Sequence, residues 1–457
     1  VFAGFLLTAG SLGDRYGRKG ALNVGLAIFG LASAGAAVSH SAGQLVIARS
    51  VMGVGAALVM PATLSVLAQV FPEGERARAV AIWAGFAGAG GAGGSLASGW
   101  LLLHFWWGSI FLSNIAVALV ALAAGAVLIP RPGDDEDVPL DPLGALLSVA
   151  ALGALIYAII EAPAQGWAST ATFGWFGAAA GLLAAFITWE RRCEHPMLDL
   201  RLFTNPEFTA ATTITFIFFT MYGMVFLLTQ YLQLVLRFSP LQSGLHILPI
   251  PIVFMATAPL SAGMVERWGQ RRVVGLGLLT LAGGMAMLSL AGTRGDYPML
   301  MLGLTMSALG MGLTMAPSTG AIMKSVPPEK AGVGSAVNDA TRELGGALGV
   351  AVLGSLLASQ FRQNLLPTIH AFPSLAGSAA NLGSALGTAA SLPGGTGSLF
   401  ATAARAAFVS AMHITLLVAV VVALVAAGFV TALLRKPRLW AEVPATIEPA
   451  RDAPPAA

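Results

Sequence analysis

The chain has 457 residues, of which 56% are hydrophobic and only 10% charged, and its mean hydropathy is +0.79. An ordinary soluble domain carries about 25% charged residues, so one water-soluble globule is excluded, whereas a bilayer accommodates this much apolar surface. The net charge of +3 is small and spread over short loops, which argues against a nucleic-acid partner, and the single cysteine, Cys193, rules out an intrachain disulfide and speaks against a thiolate metal site.

Spanning helices need roughly 20 apolar residues. The first apolar run opens the chain at Val1 and reaches Leu12; with no initiator Met before it, the chain reads as a fragment. Further runs follow at 20–38, 44–70, 78–103, 109–129, 143–162, 171–189, 208–235, 241–265, 272–292, 298–323, 330–359 and 407–434, thirteen in all. The expected fold class is therefore all-α and polytopic. Proline inside several runs (Pro61, Pro259, Pro317) is tolerated where neighbouring helices re-satisfy the freed carbonyls.

Every second loop is basic. Arg15, Arg18 and Lys19 open the series, and Arg76 with Arg78, Arg131, Arg191 with Arg192 and Arg201, Arg267 with Arg271 and Arg272, and Lys324 with Lys330 continue it. With the tail, these loops hold eighteen of the 24 basic residues. The positive-inside rule then places them, and the C-terminus, in the cytoplasm of a cell-membrane protein. Three stretches are not expected to span: the acidic linker Arg131 to Asp141, a Gly/Ala/Ser-rich external loop at 363–404, and a Pro/Ala-rich tail from Leu439 that composition marks as disordered.

An internal repeat organises these runs. Gly10-Ser-Leu-Gly-Asp-Arg-Tyr-Gly-Arg-Lys19 returns, shifted by 252 positions, as Ala262-Gly-Met-Val-Glu-Arg-Trp-Gly-Gln-Arg271. Asp14 meets Glu266, Arg15 meets Arg267, Gly17 meets Gly269 and Lys19 meets Arg271. Both copies lie in basic loops, so an even number of spans separates them, and the two halves are parallel repeats.

GSLGDRYGRK resembles the loop signature G-x-L-a-D-r-x-G-r-k of the major facilitator superfamily. The repeat leaves two additional helices, 143–162 and 171–189, between six-helix halves, a layout similar to the 14-spanner drug:proton antiporters. LVIARSVMGVGAALVMPATLS (45–65), HFWWGSIFLSNI (104–115) and SAVNDATRELGGALGVAVLGS (335–355) resemble the same family, particularly its quaternary-ammonium and multidrug exporters. The resemblance implies 13 spans present of 14, with the first helix missing. It implies an N-terminal bundle at 1–130, the linker with the two additional helices at 131–206, a C-terminal bundle at 207–438 and a tail at 439–457. The family's antiporter signature, with its G-P-x-x-G-G core, appears as Gly94-Ser-Leu-Ala-Ser-Gly99, with Ser95 and Ser98 in place of a Pro and a Gly.

Several residues carry candidate chemistry. By resemblance, the loop of Gly10, Asp14, Arg15, Gly17, Arg18 and Lys19 latches the two halves in the outward-facing state, with Glu266, Arg267, Gly269 and Arg271 as its weaker second copy. The plainer reading is a positive-inside loop with a capping Asp. Asp339 and Glu343 are acids deep inside a span, about 13 and 20 Å from Lys330 at 1.5 Å per residue. Their i,i+4 spacing sets both on one side, with Arg342 about 60° away. Charges in lipid cost about 2.5–3.5 kcal/mol or more, so they are expected to face a cavity or partners. A group that takes a proton or faces a cation, but not both, is the simplest device for exchange; the alternative is a salt-bridged structural trio. Arg49, five residues into its helix, is linked by resemblance to proton transfer, or else anchors backbone carbonyls. In the aromatic helix 208–235, Tyr222 and Phe226 are the expected cavity wall for flat lipophilic cations. Gly85, Gly94 and Gly99 are expected to let helices of the two halves approach closely.

The expected function is a secondary active exporter in which inward proton movement drives efflux of lipophilic, cationic compounds. It would be no enzyme, with no cofactor and no metal, and its partners would be a small-molecule substrate, protons and the lipid bilayer, with a monomer favoured. Export of a metabolite or lipid-like molecule stays open beside it. A membrane-embedded enzyme would need a clustered nucleophile or metal ligands, which six scattered histidines do not supply. A truncated, non-transporting remnant is the third reading.

Overall fold

The computed structural model describes residues 1–129, 141–194, 196–293, 295, 297–327, 330–371, 380–393 and 395–433. Sixteen α-helices are described: α1 (Phe2–Tyr16), α2 (Arg18–Ala37), α3 (Ala42–Val70), α4 (Glu73–His104), α5 (Ser109–Leu128), α6 (Pro142–Gln165), α7 (Thr170–Glu190), α8 (Pro206–Thr220), α9 (Gly223–Gln230), α10 (Pro240–Ile247), α11 (Pro249–Trp268), α12 (Gln270–Leu288), α13 (Tyr297–Lys324), α14 (Ala331–Ala371), α15 (Leu382–Ser391) and α16 (Gly395–Leu433). Short caps set many of the starts. Ser41, Asp141, Ser169 and Asn205 each accept a main-chain N–H at the head of α3, α6, α7 and α8.

Eleven spans among the described residues are long and apolar enough to cross a membrane, where thirteen were expected. The two expected spans outside that set are the opening run, a helix of only 15 residues, and α4, in which glycine fills positions that larger apolar side chains hold elsewhere. The run at 208–235 is one span made of α8, α9 and a π-turn at Tyr231–Val235.

Residues 363–404, expected to form an external loop, are largely helical. α14 continues to Ala371, α15 follows, and α16 begins at Gly395. At 1.5 Å per residue α14 is about 60 Å long, twice the ~30 Å hydrocarbon core, so it projects well out of the membrane. Alanine and leucine propagate a helix there without the unbroken apolar character of a span. The linker at 131–140 and the tail from 434 lie outside the described residues.

The repeat is built into the backbone. Gly17 (φ 86°, ψ 129°) and Gly269 (φ 79°, ψ 149°) turn the chain between α1 and α2 and between α11 and α12 in one conformation, which a side chain would strain. The helices after each turn cross by glycine contact. A Cβ on Gly25 would lie 2.8 Å from the Gly55 carbonyl oxygen, and one on Gly277, 252 positions later, 3.0 Å from that of Gly310.

Two seams join the halves, and the repeat exchanges one with the other: α1 packs on α14, and α4 on α11. At the first, a Cβ on Gly10 would stand 2.5 Å from the Gly332 carbonyl oxygen. At the second, Gly85 lies against Met255 and Gly88 against the Phe254 ring. α6 packs on both α1 and α14, and α7 packs on α6.

Candidate functional site

Asp14 sits in the last turn of α1 and reaches across the first seam to the head of α14. Its carboxylate accepts the amide of Gly332 at 2.9 Å on Oδ1 and that of Val333 at 3.0 Å on Oδ2. The unpaired N–H groups at a helix start, and the dipole behind them, favour a negative charge there. Arg18, one turn on, donates to Asp14 Oδ1 through Nε and Nη2 at 3.3 and 3.2 Å and to the Ser65 carbonyl of α3 at 3.2 Å. Lys19 donates to the carbonyls of Ala126 and Ile129, closing the end of α5. Arg15 lies over the Tyr16 ring, 5.0 Å from its centre. The first copy of the loop thus binds one half to the other with charge-assisted hydrogen bonds. In the second copy Glu266 and Arg267 are exposed and Arg271 half-buried, and none has an ion pair among the described residues.

The intramembrane acids part company. Asp339 is 1% exposed. Its Oδ1 accepts from Asn338 Nδ2 at 3.2 Å and from Arg342 at 3.4 Å, while its Oδ2 is buried with no hydrogen-bond partner among the described residues. Asn338 in turn accepts from the Thr319 hydroxyl of α13 at 3.2 Å. Glu343, expected on the same side, is exposed and makes no ion pair among the described residues. α14 is wedged among α1, α3 and α8, and the roughly 40° between positions four apart suffices to pass from its interior to its edge.

Arg342 connects Asp339 to open space. Its guanidinium lies 4.8 Å from the centre of the Phe219 ring and 5.8 Å from that of Trp83, a cation–π clamp between α8 and α4. Beyond it is a cavity of about 300 Å³, lined among others by Tyr222, Thr229, Phe254, Met311, Met315 and Arg342. Tyr222 stacks on Phe219, with ring centres 5.0 Å apart. Tyr222 and Arg342 therefore both line this cavity. Phe226 does not line it; the ring lies against Gly354 of α14 and is 44% exposed. Arg49 is exposed on α3 and has no ion pair among the described residues, so it is not brought to this cluster.

Of the three glycines expected at helix contacts, Gly85 meets Met255 closely and Gly99 meets Leu241 at ordinary van der Waals distance, but Gly94 faces open space. α4 brings only some of the glycines between Gly85 and Gly99 to the seam, Gly88 among them. Trp83, Phe219 and Asn338 were not singled out as site residues from the sequence. Asn338 had a visible signal, an amide inside a span and next to an acid; the two rings had none, because aromatic residues are common on membrane helices.

Residues 1–350 match the model of the Major Facilitator Superfamily. The chain is 34% identical to "Multidrug efflux pump LfrA" of Mycolicibacterium smegmatis over 441 residues, covering 95% of this chain and 87% of that protein. It is 33% identical to "Tetracenomycin C resistance and export protein" of Streptomyces glaucescens (93% and 80% covered). It is 34% identical to "Methyl viologen resistance protein SmvA" of Salmonella typhimurium (90% and 83% covered). Among solved structures, the human organic anion transporter MFSD10 superposes with a TM-score of 0.60 at 15% identity, over 92% of this chain and 81% of that one, a likeness of fold. These relatives are transporters and none is named as an enzyme. With the repeated halves, the paired seams and these matches, the chain belongs to the major facilitator superfamily.

Proposed function

We propose that this chain is a proton-coupled exporter of lipophilic cations that works by alternating access, held here with its cytoplasmic side shut. The observation that carries the reading is Asp339: a carboxyl in the interior of a spanning helix, one oxygen engaged by Asn338 and Arg342, the other with no partner among the described residues. Such an acid is costly to keep for structure alone and suited to holding a proton. Arg342 carries its charge state to a cavity with an aromatic wall at Tyr222. Efflux as the direction, and flat cations such as methyl viologen as the cargo, are supported by the names of the relatives.

The latch belongs to the same cycle. Asp14 holds the head of α14 from α1 on the side that carries the basic loops, and rocking the halves apart there breaks those bonds. The alternating lysine and arginine content of the loops supports placing that side in the cytoplasm.

The 14-span layout has its own support. The repeat pairs α1, α2, α3, α4 and α5 with α11, α12, α13, α14 and α16, and leaves the α8–α9 span without a counterpart. α8 lies against α13, α14 and α16. In the N-terminal half, a groove of about 640 Å³ with Leu67, Ile82 and Phe86 in its wall lies among α2, α3, α4 and Ile129 at the end of α5, where a helix equivalent to α8–α9 would sit.

The test is ethidium efflux in everted vesicles carrying the full-length protein. The expected outcome is efflux that collapses with a protonophore and is lost in Asp339→Asn. ATP-dependent efflux indifferent to the protonophore would refute the reading.

A further inference from the structure

The cavity beside α14 carries a charge of the wrong sign for the cargo proposed above. Arg342 is the only charged residue in its lining among the described residues, and the other walls are apolar apart from the hydroxyls of Tyr222 and Thr229. A lipophilic cation entering this space meets a like charge and no counter-charge, a repulsion that grows as water is excluded. Yet Arg342 is loosely held. A guanidinium has five N–H donors, and this one makes a single hydrogen bond among the described residues, at 3.4 Å to Asp339 Oδ1. Arg18 in the latch, by contrast, donates through all three of its nitrogens. What else holds Arg342 is aromatic, the rings of Phe219 and Trp83 at 4.8 and 5.8 Å. Both rings are fixed from elsewhere: the Trp83 indole donates to the Thr63 hydroxyl of α3 at 3.3 Å, and Phe219 meets Phe218 edge to face and Tyr222 in a stack. Neither ring lines the cavity, whereas Arg342 and Tyr222, which pack on them, do. Two preset rings, each attractive to any cation, are thus covered at the cavity's edge by the protein's own cation.

We propose that Phe219 and Trp83 form the subsite for the cationic group of the cargo, and that Arg342 fills it as an internal stand-in until cargo displaces it. This rests on the exporter reading above and adds which side chains take the charge. A flat lipophilic cation brings the charge that the two rings attract and a face that lies on Tyr222, whereas the guanidinium brings the charge alone. The displaced Arg342 has a place to go. Asp339 stands three residues earlier on the same helix, and its Oδ2 has no partner among the described residues. A swing of the side chain therefore exchanges the ring contacts for a second N–H···O bond to the ionised carboxylate, a bidentate pair. The like charge is then neutralised by its neighbour and no longer faces the cargo. An anionic cargo is the opposite case, since it would bind Arg342 where it stands and leave the rings covered.

The test is binding to the full-length protein in detergent micelles, read by fluorescence anisotropy with ethidium as the cationic probe and fluorescein as the anionic one. The double variant Asp339→Asn, Arg342→Gln removes the stand-in without changing net charge or stranding a buried carboxylate. It is expected to bind ethidium about three- to tenfold tighter than the parent, the range of one cation–π contact. Phe219→Leu added to that double variant is expected to lose about fivefold or more. Ethidium binding no tighter in the double variant than in the parent would overturn the stand-in. So would a triple variant that binds as the double does, because the rings would then serve only to hold Arg342. Should the triple variant not fold, Phe219→Leu in the parent reads the same face: ethidium binding weakened about threefold or more supports the subsite, and unchanged binding overturns it. Any of these failures beside ethidium efflux that a protonophore abolishes in everted vesicles overturns the stand-in alone. Fluorescein bound by the parent and lost in the double variant, with ethidium bound by neither, would defeat the cation-exporter reading together with it.

Discussion

Asp14 shows how one side chain ties the two halves together. It satisfies two of the orphan amides at the head of α14 and also holds Arg18. Replacing it by Asn keeps the shape and removes the charge. The expected loss is about 1.5–3 kcal/mol, the range for hydrogen bonds to charged groups. It would show as faster thiol labelling of a cysteine placed at the buried Ala336 in a Cys193→Ser background; an unchanged labelling rate would mean that the seam is held by something else. Arg342 is the complementary case, because it is the only cation paired with Asp339 among the described residues. Arg342→Ala leaves that carboxyl buried with Asn338 but without its cation, and about 3–5 kcal/mol of stability should go with it. The double variant with Asp339→Asn should recover much of the loss in a thermal melt in detergent. Equal melting temperatures for the single and double variants would contradict the pairing.

At the scale of elements, glycine is meaningful only where two helices touch. Gly277→Val drives a side chain into the Gly310 backbone of the partner helix and should cost about 1–3 kcal/mol or more, with Gly25→Val as its twin in the other half. Gly94→Ala meets nothing and should be neutral or slightly stabilising, since alanine is the better helix former by roughly 0.8–1 kcal/mol. A melt in which Gly94→Ala falls as far as Gly277→Val would reject this sorting. The segment between α7 and α8 has an electrostatic tie of its own, Lys330 Nζ to Asp199 Oδ2 at 3.2 Å. Partial burial pushes the Asp199 carboxyl upward, but the Arg201 amide and the Lys330 ammonium outweigh it and hold the group below its ordinary value. A depressed acid contributes stability above its unfolded pKa, about 3.9, and that contribution fades as pH falls through the lower folded value. Protease cleavage in this segment should therefore be flat across neutral pH and rise only below about pH 4, and Lys330→Ala should remove that acid step.

The whole molecule is two repeated bundles joined by two symmetry-exchanged seams, with the α6–α7 pair lying across one of them. The ties of that pair to α14 include a polar bond, from the Trp167 indole to the Ser355 hydroxyl at 3.1 Å, whereas Gly4 of α1 simply rests against Val149 of α6. If the halves rock, α1 slides on α6. An oxidised cysteine pair at positions 4 and 149 should then stop ethidium efflux, and a reductant should restore it; full efflux through the oxidised pair would mean that α1 and α6 move together.

Much of this architecture was legible along the chain. Apolar runs, alternate basic loops and a repeat shifted by 252 positions are local or periodic signals, and a bilayer forces them on any sequence that must satisfy its main chain internally. The Gly-Asp-Arg loop was visible for the same reason, as a fixed spacing of residue types. Only the tertiary structure decided which atoms of those residues have company. It set Asp14 on α14, separated Asp339 from Glu343, left Arg49 and Phe226 away from the cavity, drew in Trp83, Phe219 and Asn338, and turned an expected loop into helix. A helix presents every direction around its axis in four residues, and which direction is interior depends on neighbours hundreds of positions away; no periodicity within the helix records that choice.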